Sequence, residues 1–182
     1  MDPVTHTLSG FVLSKTITKN KTILAIILVA SLFPDIDILL RLHSKELFLM
    51  YHRGITHGIG ALFLFPLLPA IIFRKKLGFL KAYITSFIAY ALHLFFDLTN
   101  QYGTKILSPF DWNSYNFSLT FIIDPYVLLP LLLAVVFSIK FKKQAKFLYI
   151  FSMIFIAIYI GTKAYLKAEA KDFLKQKIEA HQ

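Results

Sequence analysis

The chain contains no cysteine. Disulfides, thiolate metal sites and thiol nucleophiles are therefore excluded. Acidic residues are scarce, 10 against 20 Lys and Arg, which leaves a net charge of +10. Long polar stretches are also missing. The apolar runs after Gly58 and Pro125 carry no polar stripe at helical spacing, which a water-soluble helix needs. The N-terminus, Met1-Asp2-Pro3-Val4-Thr5-His6, has neither a basic region nor a small-residue cleavage site, so it is expected to be retained. No internal repeat or long linker divides the 182 residues, a length that suits one domain.

What is present is hydrocarbon. The chain is 57% hydrophobic, holds 19 Phe and has a mean hydropathy of +0.63. Several runs approach the ~20 apolar residues that cross a bilayer. The fold class expected is an all-α, polytopic helical membrane protein. It has about six helical segments, the first two short, in a single domain. Residues 1–166 form the membrane-embedded part and 167–182 a polar, helical tail. The lysines and arginines are not patterned for nucleic acid, and no nucleic-acid partner is expected. They cluster at 15–21, 74–81 and 140–146, which marks those connections as cytosolic.

The segments read as 3–18, 22–33, 58–73, 79–98, 119–139 and 147–165. Asp2 caps the first, with Pro3 at its first helical position. Pro34 interrupts the second, and Asp35 and Asp37 make a polar break there, with 38–42 as one further turn. A mixed-charge loop is expected over 41–51. Pro66 and Pro69 predict a kink in the third segment. The 99–117 loop is aromatic and nearly free of lysine, as suits a membrane–water interface.

Threading these segments with the basic loops inside places 41–53 and 99–117 on the extracytoplasmic side. Four helix ends then deliver His6, Asp35 with Asp37, His52 with His57, and His93 with Asp97 to that one side. Only His43 and His181, of six histidines, fall outside the set. Arg41, Lys45 and Arg53 lie on this outer side against the charge rule, and strain the assignment.

His93 and Asp97 are spaced i, i+4 and share a helix face. Asp35 and Asp37 point in different directions in a helix, so Asp35 is the first choice as ligand and Asp37 a bridging or outer group. Gly54 lets the backbone bend so that His52 and His57 converge. The candidate metal ligands are His6, Asp35, His52, His57, His93 and Asp97. Imidazole and carboxylate without thiolate suit a divalent metal, zinc first, with manganese or iron as alternatives. The set exceeds the ~3 protein ligands of one catalytic zinc, so one or two ions are expected. Two ions ~3.5–4 Å apart suit phosphoryl chemistry. Asp37 and Arg53 are the candidate catalytic residues, Asp37 taking a proton and Arg53 neutralising charge on phosphate oxygens, with Lys105 a more distant cation.

The blander readings stand beside these. Membrane-buried ionisable groups also pair with one another or line ion paths, as an Asp35–Arg53 pair or a His93–Asp97 bond would. Asp2 reads as a cap, and Asp124, before Pro125, as a cap or a further ligand. Asp111 and Asn113 read as loop polarity, and Gly58 and Gly60 as allowing close helix packing.

Several pieces in order resemble the YdjM-like family of inner-membrane-associated, predicted metal-dependent hydrolases. They are Asp2 with His6, Ser31-Leu32-Phe33-Pro34-Asp35-Ile36-Asp37, His52-Arg53-Gly54-Ile55-Thr56-His57, His93 through Asp97 and Asn100 to Tyr102-Gly103, and Leu107 with Pro109-Phe110. The resemblance covers residues 1–110 and leaves the last two segments without a motif. It implies a membrane metal-dependent hydrolase with these histidines and aspartates as ligands. By analogy with zinc-dependent phospholipase C, it implies cleavage of a phosphoric ester, of a lipid or another interfacial substrate. The alternatives are a non-enzymatic metal-binding or transport protein, or a regulatory membrane partner. Oligomeric state is not legible.

Overall fold

Capping residues and prolines set where the helices begin. In the computed structural model, which describes residues 1–180, Asp2 accepts hydrogen bonds from Val4 N and Thr5 N, both at 3.0 Å, and starts α1 (Pro3–Ile17). Residues 181 and 182, the end of the expected tail, lie outside the described residues. Asn20 caps α2 (Lys21–Leu32) through Thr22 N at 2.8 Å.

Pro34 does not break the second segment. It lies at the start of a 3-10 turn (Phe33–Leu39), where its missing N–H costs little, and the chain runs on into α3 (Leu40–His43). The result is one helical run, Lys21–His43, of 23 residues. The loop expected over 41–51 is also helical. Ser44 accepts from Leu47 N at 2.9 Å and starts α4 (Lys45–Tyr51). The prolines of the third segment do separate α5 (Ile59–Leu64) from α6 (Leu67–Leu77).

After α7 (Phe79–Thr99), the fifth helix starts later than the apolar pattern suggests. Asp124 accepts from Tyr126 N (3.0 Å) and Phe121 N (3.2 Å), so α8 is Pro125–Lys140 and 119–124 is not helical. Tyr159 Oη donates to the same carboxylate at 3.0 Å. Asp124 is thus a cap and a tether. The sixth segment and the tail form one 35-residue helix, α9 (Ala145–Glu179), because Ala, Lys, Leu and Glu continue the helix past the apolar part. Among the described residues no β-strand forms; isolated bridges Asn100–Thr120 and Thr104–Tyr115 pin the 99–120 loop.

Three of these elements are long and apolar enough to cross a membrane: Lys21–His43, Phe79–Thr99 and Ala145–Glu179. Lys45–His57 and Ile59–Leu77, bent by 47°, make a fourth if counted as one span, and α8 is a shorter apolar helix. Helix α2 packs on α1 and α7, α6 on α7, and α8 on α1 and α9. Val12, Phe96, Val127 and Leu131 fill one core, and Ile27, Ala30, Ala89 and Tyr90 another. Leu64, Ile71, Leu80, Phe147 and Ile158 point outward and exposed, a surface suited to lipid rather than water. Where α1 crosses α2, a Cβ on Gly10 would lie 2.4 Å from Ser31 Oγ. That close crossing brings His6, one turn earlier on α1, beside the α2–α7 pair.

Candidate metal centre

The 3-10 turn after α2 presents Asp35, the 3-10 turn Ile55–His57 presents His57, and one face of α7 presents His93 and Asp97. One ligand atom from each of these four residues lies within 4.8 Å of every other. His57 Nε2 is 3.1 Å from Asp97 Oδ2, 3.4 Å from His93 Nε2 and 3.6 Å from Asp35 Oδ1. His93 Nε2 is 3.3 Å from Asp97 Oδ2 and 3.7 Å from Asp35 Oδ1. A tetrahedral ion with bonds of ~2.0–2.1 Å holds its ligand atoms ~3.3 Å apart, so the spacing fits one.

Hydrogen bonds behind the rings decide which nitrogen faces inward. His93 Nδ1–H donates to the Ser31 carbonyl at 2.7 Å, so in the neutral ring Nε2 presents a lone pair. His57 Nδ1 meets Thr56 Oγ1 at 3.1 Å, and Thr56 Oγ1–H donates to Asp37 Oδ2 at 3.3 Å, which turns His57 Nε2 inward as well. Ring nitrogens fixed in this way by a carbonyl and a carboxylate are typical of metal-ligating histidines. The centre of the cluster is then lined by acceptors alone. Among the described residues, nine buried side-chain N and O atoms lack a hydrogen-bond partner. Five of them are here: both nitrogens of His6, Asp35 Oδ2, Asp97 Oδ2 and Arg53 Nε, so the unsatisfied polarity is concentrated where a ligand would relieve it.

The remaining expected ligands are placed differently. His6 is fully buried and stacks on His93 at 3.6 Å, with Nε2 3.4 Å from Asp97 Oδ1. His52 lies outside the four-residue group. It stacks on Phe48, and its Nδ1 is 3.1 Å from Asp37 Oδ1. Asp37 faces the back of His57 rather than the centre, taking Arg53 N–H at 2.7 Å on Oδ2.

Arg53, not Gly54, has the left-handed backbone, with φ 55° against −94°. Such a conformation costs ~1–3 kcal/mol in a residue with a Cβ. It is held by the Asp37 bond, by Lys105 N–H donating to Arg53 O at 3.0 Å, and by the buried guanidinium. The guanidinium reaches Asp97 Oδ1 at 3.0 Å, Asn100 Oδ1 at 3.3 Å and the Tyr102 carbonyl at 3.2 Å. The Met1 amine also contacts Asp97 Oδ1. Gly54 is needed for a different reason: a Cβ there would meet the Tyr51 carbonyl at 2.7 Å.

Gly58 and Gly60 serve a loop rather than helix packing. A Cβ on Gly58 would lie 1.9 Å from Ser108 Oγ, and Ile59 N–H and Gly60 N–H donate to Ile106 O and Ser108 O. Lys105 is directed away from the cluster, with Nζ on the Met50 carbonyl at 2.7 Å and over the Trp112 ring. Sequence reading had no signal for the Ser31 carbonyl and passed over Thr56. Asn100, one turn after Asp97, was visible as a motif residue, but not as the acceptor for Arg53.

Fold and site together define an all-helical membrane protein with a buried His/Asp cluster that could hold a metal ion. The chain belongs to the YdjM inner membrane protein family, which it matches over residues 1–170. It is similar to the uncharacterized protein YfhP of Bacillus subtilis (strain 168), 32% identical over 150 residues, covering 74% of this chain and 45% of that protein. The chain thus spans less than half the length of that relative. No solved structure matches it.

Proposed function

We propose that the protein is a membrane-bound, metal-dependent hydrolase that cleaves a phosphoric ester of a lipid or other interfacial substrate. The observation that carries this reading is the inward-facing set of acceptors on Asp35, His57, His93 and Asp97 at tetrahedral spacing. These four would hold one divalent ion, zinc first by donor type, with manganese or iron as alternatives. When bound, such an ion supplies Lewis acidity toward water and toward a phosphoryl oxygen.

The chain's own groups divide the remaining work. Asp35 turns Oδ1 to the centre, and its buried Oδ2 has no partner, so it is placed to take a proton from a water bound there. Asp37 orients His57 through Thr56 and holds the backbone of Arg53. Arg53 pairs with Asp97 Oδ1 and so leaves Oδ2 to face inward, and its Nε–H is the donor left for a phosphate oxygen. Asp37 acts here as a positioning residue, whereas Arg53 both positions Asp97 and meets the substrate. His6 closes the cluster on the α1 side by stacking on His93, and His52 supports Asp37 from behind. The site faces the extracytoplasmic side, because the basic connections at 15–21, 74–81 and 140–146 lie at the other ends of the helices. Residues 1–166 are the hydrolase domain, and the polar end of α9 is an appendage to it.

Metal content of protein purified without chelator, beside His93→Ala and Asp97→Ala, tests the first step. The expected outcome is about one ion per chain, absent from both variants. Wild-type protein without stoichiometric metal would overturn the reading. A panel of phosphodiesters tests the second step: metal with no turnover on any of them leaves a metal-binding protein that is not a hydrolase.

A further inference from the structure

The cluster borders apolar pockets on the Thr56 side. Thr56, whose hydroxyl touches both Asp37 and His57, also lines two pockets that share Ile55 as a wall. One pocket, of about 560 Å³, lies between the 3-10 turn, α3 and α4, with Asp37 at its edge. The other, of about 430 Å³, lies along α5 between Phe33, Ala61, Leu64 and Pro109. This second pocket shares Phe33, Phe65 and Leu68 with a third, of about 210 Å³, between α2 and α6 that ends at Ile72 and Phe73.

The second and third pockets together follow the chain from Gly60 to Phe73. At 1.5 Å per residue that is ~20 Å. One leaflet of hydrocarbon is ~15 Å thick, half of the bilayer core, so the groove runs past the midplane toward the basic residues at 74–76. In these two pockets the polar side chains are Thr56 and Ser108, both at the cluster end; every other lining residue is apolar or glycine. Leu64, Leu68 and Ile72 are more than half exposed, so the groove is open sideways to the membrane along its length. A groove that is polar at one end, apolar for ~20 Å beyond it and open to lipid has the shape of an amphiphile.

We propose that this groove seats one acyl chain of a phosphate-ester membrane lipid, with the head group at the Asp35–Thr56 end beside the cluster. Only the fate of that head group rests on the hydrolase reading. The occupant is a lipid already in the bilayer, which enters sideways through the Leu64–Leu68–Ile72 opening. Each methylene seated against the groove instead of neighbouring lipid gains packing contacts, while the polar end registers the ester against the cluster.

The test is photo-crosslinking of the full chain in phospholipid vesicles doped with a phosphatidylcholine that carries a diazirine midway along one acyl chain. The expected result is labelling concentrated on residues 59–73 and on the α2 residues opposite, near Ala25 and Val29. Leu68→Trp fills the middle of the groove. Ala25→Trp fills its far end from an exposed position that does not disturb the core. Each should cut that labelling several-fold by occupying the volume the chain would fill. Val136→Trp, on the exposed face of α8, should leave it unchanged. Labelling spread evenly over the outer faces of α6, α8 and α9, or indifferent to both groove variants, would overturn the proposal. Turnover of a soluble phosphodiester without groove labelling would refute the groove and keep the hydrolase. Groove labelling without turnover of any ester would do the reverse.

Discussion

Asp97 holds the cluster together in two ways, and substitution can separate them. One carboxylate oxygen faces His57 and His93; the other carries the Arg53 guanidinium at 3.0 Å, and both residues are almost fully buried. Asp97→Asn keeps the shape but leaves a buried guanidinium without its counter-ion. Breaking one half of a buried pair costs ~3–5 kcal/mol, whereas replacing both halves is often close to neutral. In metal-free protein, Asp97→Asn should therefore unfold about 10 °C lower than wild type. The double variant Asp97→Asn/Arg53→Met should recover most of that loss. It would remain ~1–2 kcal/mol short, for the Arg53 bonds to Asn100 Oδ1 and the Tyr102 carbonyl that it forfeits. Neither variant should bind metal stoichiometrically, because both replace the anionic carboxylate with a neutral amide, a far weaker ligand. Thermal unfolding in detergent with chelator, followed by metal titration of the same samples, measures the two effects separately. A double variant no more stable than the single one would refute the ion-pair argument. Stoichiometric metal in Asp97→Asn would refute the ligand assignment.

Asp37→Asn should retain metal at one ion per chain but bind it ~10–100-fold more weakly, since Asp37 orients His57 from behind rather than facing the centre; competition with a chromogenic chelator reads the change, and complete loss would move Asp37 into the ligand set. Gly58→Ala should disrupt the site, because its Cβ would meet Ser108 Oγ at 1.9 Å and the Ser108 carbonyl at 2.5 Å and push His57 out of line. Gly161→Ala, with nothing within 4 Å, should be neutral or add ~0.5–1 kcal/mol of stability. Thermal unfolding and metal content of the two variants side by side check this contrast. The absence of cysteine allows single-cysteine mapping: in intact cells Asn113→Cys should react with a membrane-impermeant maleimide and Lys143→Cys should not. The opposite pattern would turn the site to the cytosol.

Element types were legible wherever the apolar period was long. What the sequence hid were the places where a local device overrode the pattern. Pro34 reads as a breaker, yet at the start of a 3-10 turn it costs nothing, and Asp35 and Asp37 end up on opposite sides of His57. Ser44 turned an expected loop into α4, and Asp124 delayed α8 by several residues. The gathering of histidines and aspartates was legible because topology alone sorts helix ends onto one side. Which of them meet at 3–4 Å was not. His52 and His57 are equivalent in sequence, but the left-handed turn at Arg53 sends His57 inward and leaves His52 behind Asp37. The strain is at Arg53, whose amide reaches Asp37 and whose guanidinium reaches Asp97 from this left-handed conformation.

Electrostatics also bears on how many ions the site would take. Asp35, Asp37 and Asp97 bring three negative charges and Arg53 one positive, so with neutral imidazoles the side chains are two charges short of balance. The Met1 amine, where protonated, offsets one more at Asp97 Oδ1. One divalent ion brings the group to neutrality or one positive charge. A second would leave it two or three positive in a region with little water to screen it, a costly state for a membrane interior. Geometry agrees. A second ion would need Asp97 Oδ1 as a bridge, and that oxygen already holds the guanidinium. Arg53 occupies the place of the second cation, which leaves His6 Nε2, 3.4 Å from the same oxygen, without a metal of its own. Arg53→Ala tests this reasoning: removing the resident charge should raise the capacity for zinc from one ion per chain toward two. A wild-type protein that already binds two would refute it.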